Sequence, residues 1–412
     1  MAVKIIEGGV NAAAGYKTCG LRAGIKPGKD NKDMAMILSD VPAAAAGTFT
    51  RNLVKAAPVK WDSMIIEKKN DVRAVVVNTG FANASTGNEG YENSKKTAKK
   101  TAEAFGLKTE EVLVASTGVI GVQLPMDVIF EGVDKLKEAL SYEKNAGDDA
   151  AEAIMTTDTH SKQTAVSFNV DGKECIMGGM CKGSGMIHPN MGTMLCFITT
   201  DCSVDRDYMQ EVLRAVVNDT FNMVSVDGDT STNDTVILLS NGVAGNKLIS
   251  AESSDEEKAE FEEALRSVCG TFAKEIAKDG EGATRLFTAM VKGAADEETA
   301  RILAKSIITS NLTKAAIFGK DANWGRIMCA MGYSGAAFDP DKTDIFLSSV
   351  NGEIKLVENG VTTGFSEEEA LDILSADEIT AICDVKEGNA SAVAWGCDLT
   401  YEYVKINGDY RS

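Results

Sequence analysis

The chain has 412 residues, 44% hydrophobic and 25% charged, the balance of an ordinary globular protein able to bury a sizeable core. Its 42 lysines and arginines face 61 aspartates and glutamates, and a net charge of -19 repels phosphate backbones and anionic lipid, which speaks against nucleic-acid and membrane roles. Nine cysteines without a C-x-x-C pair, and only two histidines (His160 and His188), argue against a zinc site, a disulfide framework or a histidine-rich metal centre.

The opening MAVKIIEGGVNAAAGYK has no apolar run with a basic flank, so no secretory signal is expected, and no later run approaches the length of a membrane span. Scattered thiols then point to the cytoplasm. In chain order, apolar β-type runs predict strands at 73–78, 111–116, 194–199, 235–240 and 285–292. Apolar residues at helical spacing with charged faces predict helices near 91–106, 131–142, 206–219, 254–279 and 295–311. SFNVDGKECIMGG reads as a hairpin turning at Asp171-Gly172, and a second hairpin is expected around Asn351-Gly352. From about 376 onward, ITAICDVKEGNASAVAWGCDLTYEYVKIN reads as two long strands joined near Glu387-Gly388-Asn389. The sum is a mixed α/β protein with substantial sheet.

The most informative stretch runs from Lys182 to Leu195, KGSGMIHPNMGTML. It is a glycine-rich, proline-containing loop that enters an apolar strand with Thr193 at the junction. Alone it would be a tight turn before a strand, and its Gly-Ser-Gly lacks the residue order of a phosphate-binding loop.

This stretch resembles the processing-site motif of the ornithine acetyltransferase (glutamate N-acetyltransferase) family, K-G-S-G-M-I-x-P-N-M-A-T-M-L. The match extends to Ala46–Thr50 with Val54–Val59, Ser116–Gly121 with Leu124–Asp127, Val226–Thr235, and Asp279–Thr284. It continues through Ala316–Gly319, Asn323–Ile327 and the terminal Lys405–Ser412, covering essentially the whole chain in order. Three positions depart from the pattern. Gly192 stands where alanine is usual, His188 fills a variable position as a bystander, and Ser412 replaces a terminal threonine.

The resemblance implies a layered α/β/β/α sandwich and self-cleavage between Gly192 and Thr193. The products would be an alpha chain (1–192) and a beta chain (193–412), assembled two of each. Thr193 would be the nucleophile, with the Thr117 hydroxyl and Gly118 amide as the oxyanion hole. Thr156, Lys182, Thr193, Glu281, Asn407 and Ser412 would contact substrate. The chemistry is physically coherent, because a threonine hydroxyl needs an adjacent base and cleavage frees an α-amine on the same residue. With a reference pKa of about 7.7–8.0, that amine is partly neutral at pH 7. The implied reaction moves an acetyl group from N-acetylornithine to glutamate through an acetyl-Thr193 intermediate. No cofactor is called for, and the sequence leaves open whether acetyl-CoA also donates. Read without the family, Lys182 and Glu281 would be solvated surface charges.

Two other chemistries have partial support in the sequence. Asp227-Gly-Asp229-Thr has the look of a metal loop, but Thr232 and Leu238 occupy the positions where a calcium loop needs glycine and glutamate. Asp227, Asp229 and Asp234 are better read as turn formers. An aminopeptidase or amidohydrolase on the same scaffold is the closer rival, and it would pass the acyl group to water.

Overall fold

The computed structural model describes residues 3–26, 28, 30–188 and 194–409. Gly192, Thr193 and Ser412, named above for cleavage, catalysis and substrate contact, lie outside the described residues. The elements in chain order are β1 (Lys4–Ile6), β2 (Tyr16–Leu21), β3 (Met34–Phe49), α1 (Ala57–Glu67), β4 (Val72–Phe81), α2 (Gly87–Phe105) and β5 (Val112–Val119). There follow α3 (Met126–Ala139), α4 (Lys144–Ala153), β6 (Lys162–Val170), β7 (Lys173–Lys182), β8 (Leu195–Thr200), α5 (Arg206–Asp219), β9 (Val224–Ser225), β10 (Thr235–Ser240) and α6 (Asp255–Lys278). The last are β11 (Leu286–Ala294), α7 (Glu297–Thr309), α8 (Asn311–Gly319), α9 (Trp324–Gly332), β12 (Asp344–Ser349), β13 (Gly352–Glu358), β14 (Val361–Thr362), α10 (Glu367–Ile373), β15 (Glu378–Asp384), β16 (Ala390–Cys397) and α11 (Tyr401–Gly408).

The chain is α/β, as expected, and forms two compact units. The first takes the described residues within Met1–Gly183, Pro189–Phe221 and Thr230–Phe272, and the second those within Ser184–His188, Asn222–Asp229 and Ala273–Ser412. The first holds a nine-stranded sheet in the order β1-β6-β7-β8-β10-β3-β4-β5, with β2 also paired to β3. β8 (LCFITT) and β10 (TVILLS) run parallel at its centre and are buried along their whole length. That explains why they read as continuous apolar runs rather than alternating ones. β6 and β7 form the expected hairpin, its turn made by Asp171 and Gly172, both at positive φ. α1 and α2 pack on β5, α4 on β2 and α5 on β3, enclosing a core that includes Met34, Trp61, Val75, Leu113 and Phe197.

The second unit holds a seven-stranded sheet, β14-β13-β12-β15-β11-β16-β9. α7 packs on β11 and β16, over a core that includes Phe287, Leu303, Ile307 and Leu347. The β12–β13 hairpin forms where Asn351-Gly352 placed it. β15 and β16 are both present but flank β11, one parallel and one antiparallel to it.

One expectation is corrected. The second long strand does not continue to the end of the chain, because residues 401–408 form helix α11. Asp398 is buried and accepts hydrogen bonds from the Thr284 and Arg285 amides, at 2.8 and 3.1 Å, so the ladder stops at Cys397. Thr400 then donates to the Gly282 carbonyl at 2.6 Å, anchoring the turn into the helix. The Tyr-x-Tyr alternation that resembled a strand lies on a helix whose residues are mostly exposed.

Candidate active site

β5 is an edge strand, and its free edge is engaged in a regular row. The Val112 carbonyl accepts from Trp61 Nε1 (3.0 Å), the Val114 amide donates to Asp62 Oδ1 (2.9 Å), and the Ser116 carbonyl accepts from Asn233 Nδ2 (2.8 Å). Alternation along a strand turns every second residue's backbone groups to the same side, so the Gly118 amide follows in this row. Gly118 has φ +128°, and a Cβ there would stand 2.4 Å from the Gly80 backbone, so the position takes no side chain. Asn233 also donates to the Ala82 carbonyl at 2.6 Å, tying the segment around Asn233 to the ends of β4 and β5 together.

Thr117 is buried, and its hydroxyl makes a long contact of 3.5 Å with Lys182 Nζ at the end of β7. Lys182 is 9% exposed, and the solvated role that its charge alone would suggest does not apply. Nearby, Asp158 ties three segments of the chain together. It accepts from Lys162 Nζ (2.8 Å), the Gly183 amide (2.6 Å) and the Thr156 amide (3.1 Å). Burial opposes its ionisation, but Lys182, Lys162 and the Gly183 hydrogen bond outweigh that and hold the carboxyl at about 2. Asp158 was not singled out from sequence. Its pairing with Lys162 four residues on was a visible signal, whereas its bond to Gly183 arises only from the fold. Thr117, Gly118, Lys182 and Thr156 thus belong to one neighbourhood of the first unit.

In the second unit, the segment Ser184–His188 is clasped by groups distant in sequence. The Glu281 amide donates to the Ser184 carbonyl (2.8 Å), and the Glu281 carboxylate fills the space where a side chain on Gly185 would go, 2.2 Å from its ideal Cβ. Glu281 is 8% exposed and accepts from Asn407 Nδ2 at 2.8 Å, which brings together two of the expected substrate residues. Asp227 accepts from the Met186 (2.6 Å) and Ile187 (2.8 Å) amides, and Met186 sits in the left-handed region with φ +54°. Burial raises the Asp227 pKa against the pull of these amides. Its carboxylate therefore organises a turn, as the sequence indicated for this residue, and among the described residues no group of three or more acidic, histidine or cysteine side chains fits a metal ion. Burial first, then the Asp227 and Glu281 charges, push the Tyr403 hydroxyl well above the usual tyrosine range.

His188 is more than a bystander in packing terms. Its Nδ1 lies 3.0 Å from Ser225 Oγ, and burial followed by the Lys305 charge lowers its pKa to about 4. Burial in turn lowers Lys305 to about 8.

Residues 17–412 match the model of the ArgJ family. Over 410 residues the chain is 51% identical to the arginine biosynthesis bifunctional protein ArgJ of Caldanaerobacter subterraneus subsp. tengcongensis, with 100% of both chains covered. Over 416 residues it is 46% identical to the glutamate N-acetyltransferase of Methanocaldococcus jannaschii, again with 100% of both covered. The crystal structure of the arginine biosynthesis bifunctional protein argJ of Bacillus halodurans matches at 46% identity and a TM-score of 0.50, covering 52% of this chain and 99% of that one.

Proposed function

The chain belongs to the ArgJ family and is an acetyltransferase of arginine biosynthesis, and we propose that it carries the acetyl group of N-acetylornithine to glutamate on Thr193. In this reading the precursor cuts itself between Gly192 and Thr193, and the freed α-amine becomes the base. Thr193 Oγ attacks the acetyl carbonyl carbon while the α-amine takes the hydroxyl proton, and that proton passes to the departing ornithine nitrogen. The α-amine of glutamate then attacks the acetyl ester, releasing N-acetylglutamate and restoring the threonine.

The single observation that supports this most is the end of β5. A buried threonine hydroxyl, followed by the Gly118 amide in the row along the strand's outer edge, lies 3.5 Å from the ammonium of a buried lysine. The first two suit the negative charge that develops on the acetyl oxygen in each attack. Lys182, with Asp158 behind it and Thr156 close by, suits the α-carboxylate that donor and acceptor have in common. Glu281 with Asn407 suits an ammonium group. Thr193 and Ser412 complete the assignment by family pattern.

The test is a two-substrate assay with acetyl-group tracking. Ornithine released from N-acetylornithine before glutamate is added, in an amount matching the enzyme, together with acetylated Thr193 in a peptide map, supports the scheme. Continuous release of acetate regardless of glutamate would instead identify the hydrolase. Replacing N-acetylornithine by acetyl-CoA in the same assay decides whether the enzyme has a second donor.

A further inference from the structure

Lys314, on α8, is 3% exposed, and no segment of the family pattern quoted above includes it. Its ammonium donates to the Val226 carbonyl and lies 3.8 Å from Cys397 Sγ. Among the described residues no carboxylate forms an ion pair with it. A buried ammonium held by a carbonyl and a thiol is expensive, since neither partner returns what hydration gives up. An apolar side chain of similar length would pack there without that cost, so the charge needs a reason.

The reason lies one peptide away. The Val226 amide donates to the Ile187 carbonyl at 2.7 Å, and the next residue, Asp227, accepts the Met186 and Ile187 amides. Val226-Asp227 therefore grips Met186-Ile187 by three hydrogen bonds while Lys314 grips Val226 from behind. Met186 is held at φ +54°, a conformation costly for a residue with a side chain, and Glu281 leaves no room for a Cβ on Gly185. A strained segment persists only when its surroundings over-determine it, and Lys314 is the buried charged anchor of those surroundings.

We infer that Lys314 is a positioning residue for self-cleavage, fixing through Val226 the segment Ser184–Ile187 that leads into the Gly192–Thr193 bond. The inference rests on the self-cleavage reading given above. Lys314 does not touch the reacting atoms, and its task is finished once the bond is cut.

The experiment follows the cutting of full-length precursor by intact mass for the wild type, Lys314→Met and Lys314→Gln, and then measures kcat and KM of the cut enzyme. Lys314→Met is expected to slow cutting by about tenfold or more, with Lys314→Gln between it and the wild type because it keeps a donor for Val226. Once cut, both should show wild-type kcat and KM. Urea melts of the same substitutions in a Thr193→Ala chain, which stays whole, are expected to show a folded protein and so separate slow cutting from misfolding. Cutting of Lys314→Met at the wild-type rate would overturn the inference, as would a parallel loss of kcat in cut material or an unfolded Thr193→Ala background. A wild-type chain that is never cut would instead remove the self-cleavage reading, an outcome distinct from a wild type and variant cut equally fast.

Discussion

At the scale of single residues, the site is defined by polar groups whose burial would be costly without the partners they have. Thr117 near the end of β5 and Lys182 at the end of β7 are both buried, and their contact is a hydroxyl beside a cation. If the Thr117 hydroxyl stabilises the oxyanion, Thr117→Ala lowers kcat by about 10²- to 10³-fold, as loss of one such donor does elsewhere, and Thr117→Ser restores most of it. A change confined to KM would assign Thr117 to binding instead. His188 offers a pH-dependent prediction. An unfolded histidine titrates near 6.5, whereas His188 in the fold is lowered to about 4, so between those values the unfolded chain binds the extra proton. Its neutral form then contributes stability that is fully present above about pH 6.5 and is lost as the pH falls toward 4. Urea midpoints of a Thr193→Ala chain should fall over this window more steeply than those of the same chain carrying His188→Gln, and parallel curves would contradict the assignment.

At the scale of elements, α1 secures β5. Trp61 and Asp62 are consecutive residues, and they serve consecutive outward-facing positions of the edge strand. Asp62 is fully enclosed, and burial pushes its carboxyl well above the usual range despite the Val114 amide. Asp62→Ala leaves that buried amide without its acceptor, a loss of about 1–3 kcal/mol. It should also lower kcat, because Thr117 and Gly118 close the same strand. Unchanged stability and unchanged kcat would show that the edge is held by other means. Elements such as β8, β10 and α5 were legible because a continuous apolar run or a 3.6-residue period dictates them locally. The turn at Asp171-Gly172 was legible because its chemistry demands positive φ. β3 was not, since its DVPAAAAG stretch has little strand propensity and is held in the sheet by β10 along Ala44–Phe49, while β2 and β4 flank its first half on opposite edges. α11 was misread because two alternating tyrosines imitate a strand. At the site, the family pattern pointed to Thr117, Lys182 and Glu281, and their burial agrees with a role beyond solvated charge. Asp158 and Lys314 stayed hidden because their partners, Gly183 and Val226, are brought to them only by tertiary structure.

At the scale of the whole molecule, the sheet order bears on what cutting can do. β8 and β10 follow Thr193 in sequence, yet they lie between β7 and β3, which precede it. The two compact units likewise each draw on residues from both sides of the Gly192–Thr193 bond. Alpha and beta chains produced by cleavage would share one continuous sheet, so they should co-elute in native gel filtration and separate only in denaturant. Free alpha chain in native buffer would contradict this interleaving. Native mass would also test the two-of-each assembly that the family pattern implies. The net charge is -19, and among the described residues no helix is long and apolar enough to cross a membrane. In the proposed scheme the chain frees, by its own cleavage, the α-amine that Thr193 needs as a base, and the decisive measurement is intact mass with N-terminal sequencing of freshly purified protein. Self-cleavage would give two fragments, the second beginning Thr-Met-Leu-Cys, and a Thr193→Ala chain that stays whole and transfers no acetyl group. A single uncut chain with full transferase activity would contradict it, because Thr193 would then have no free amine to act as its base.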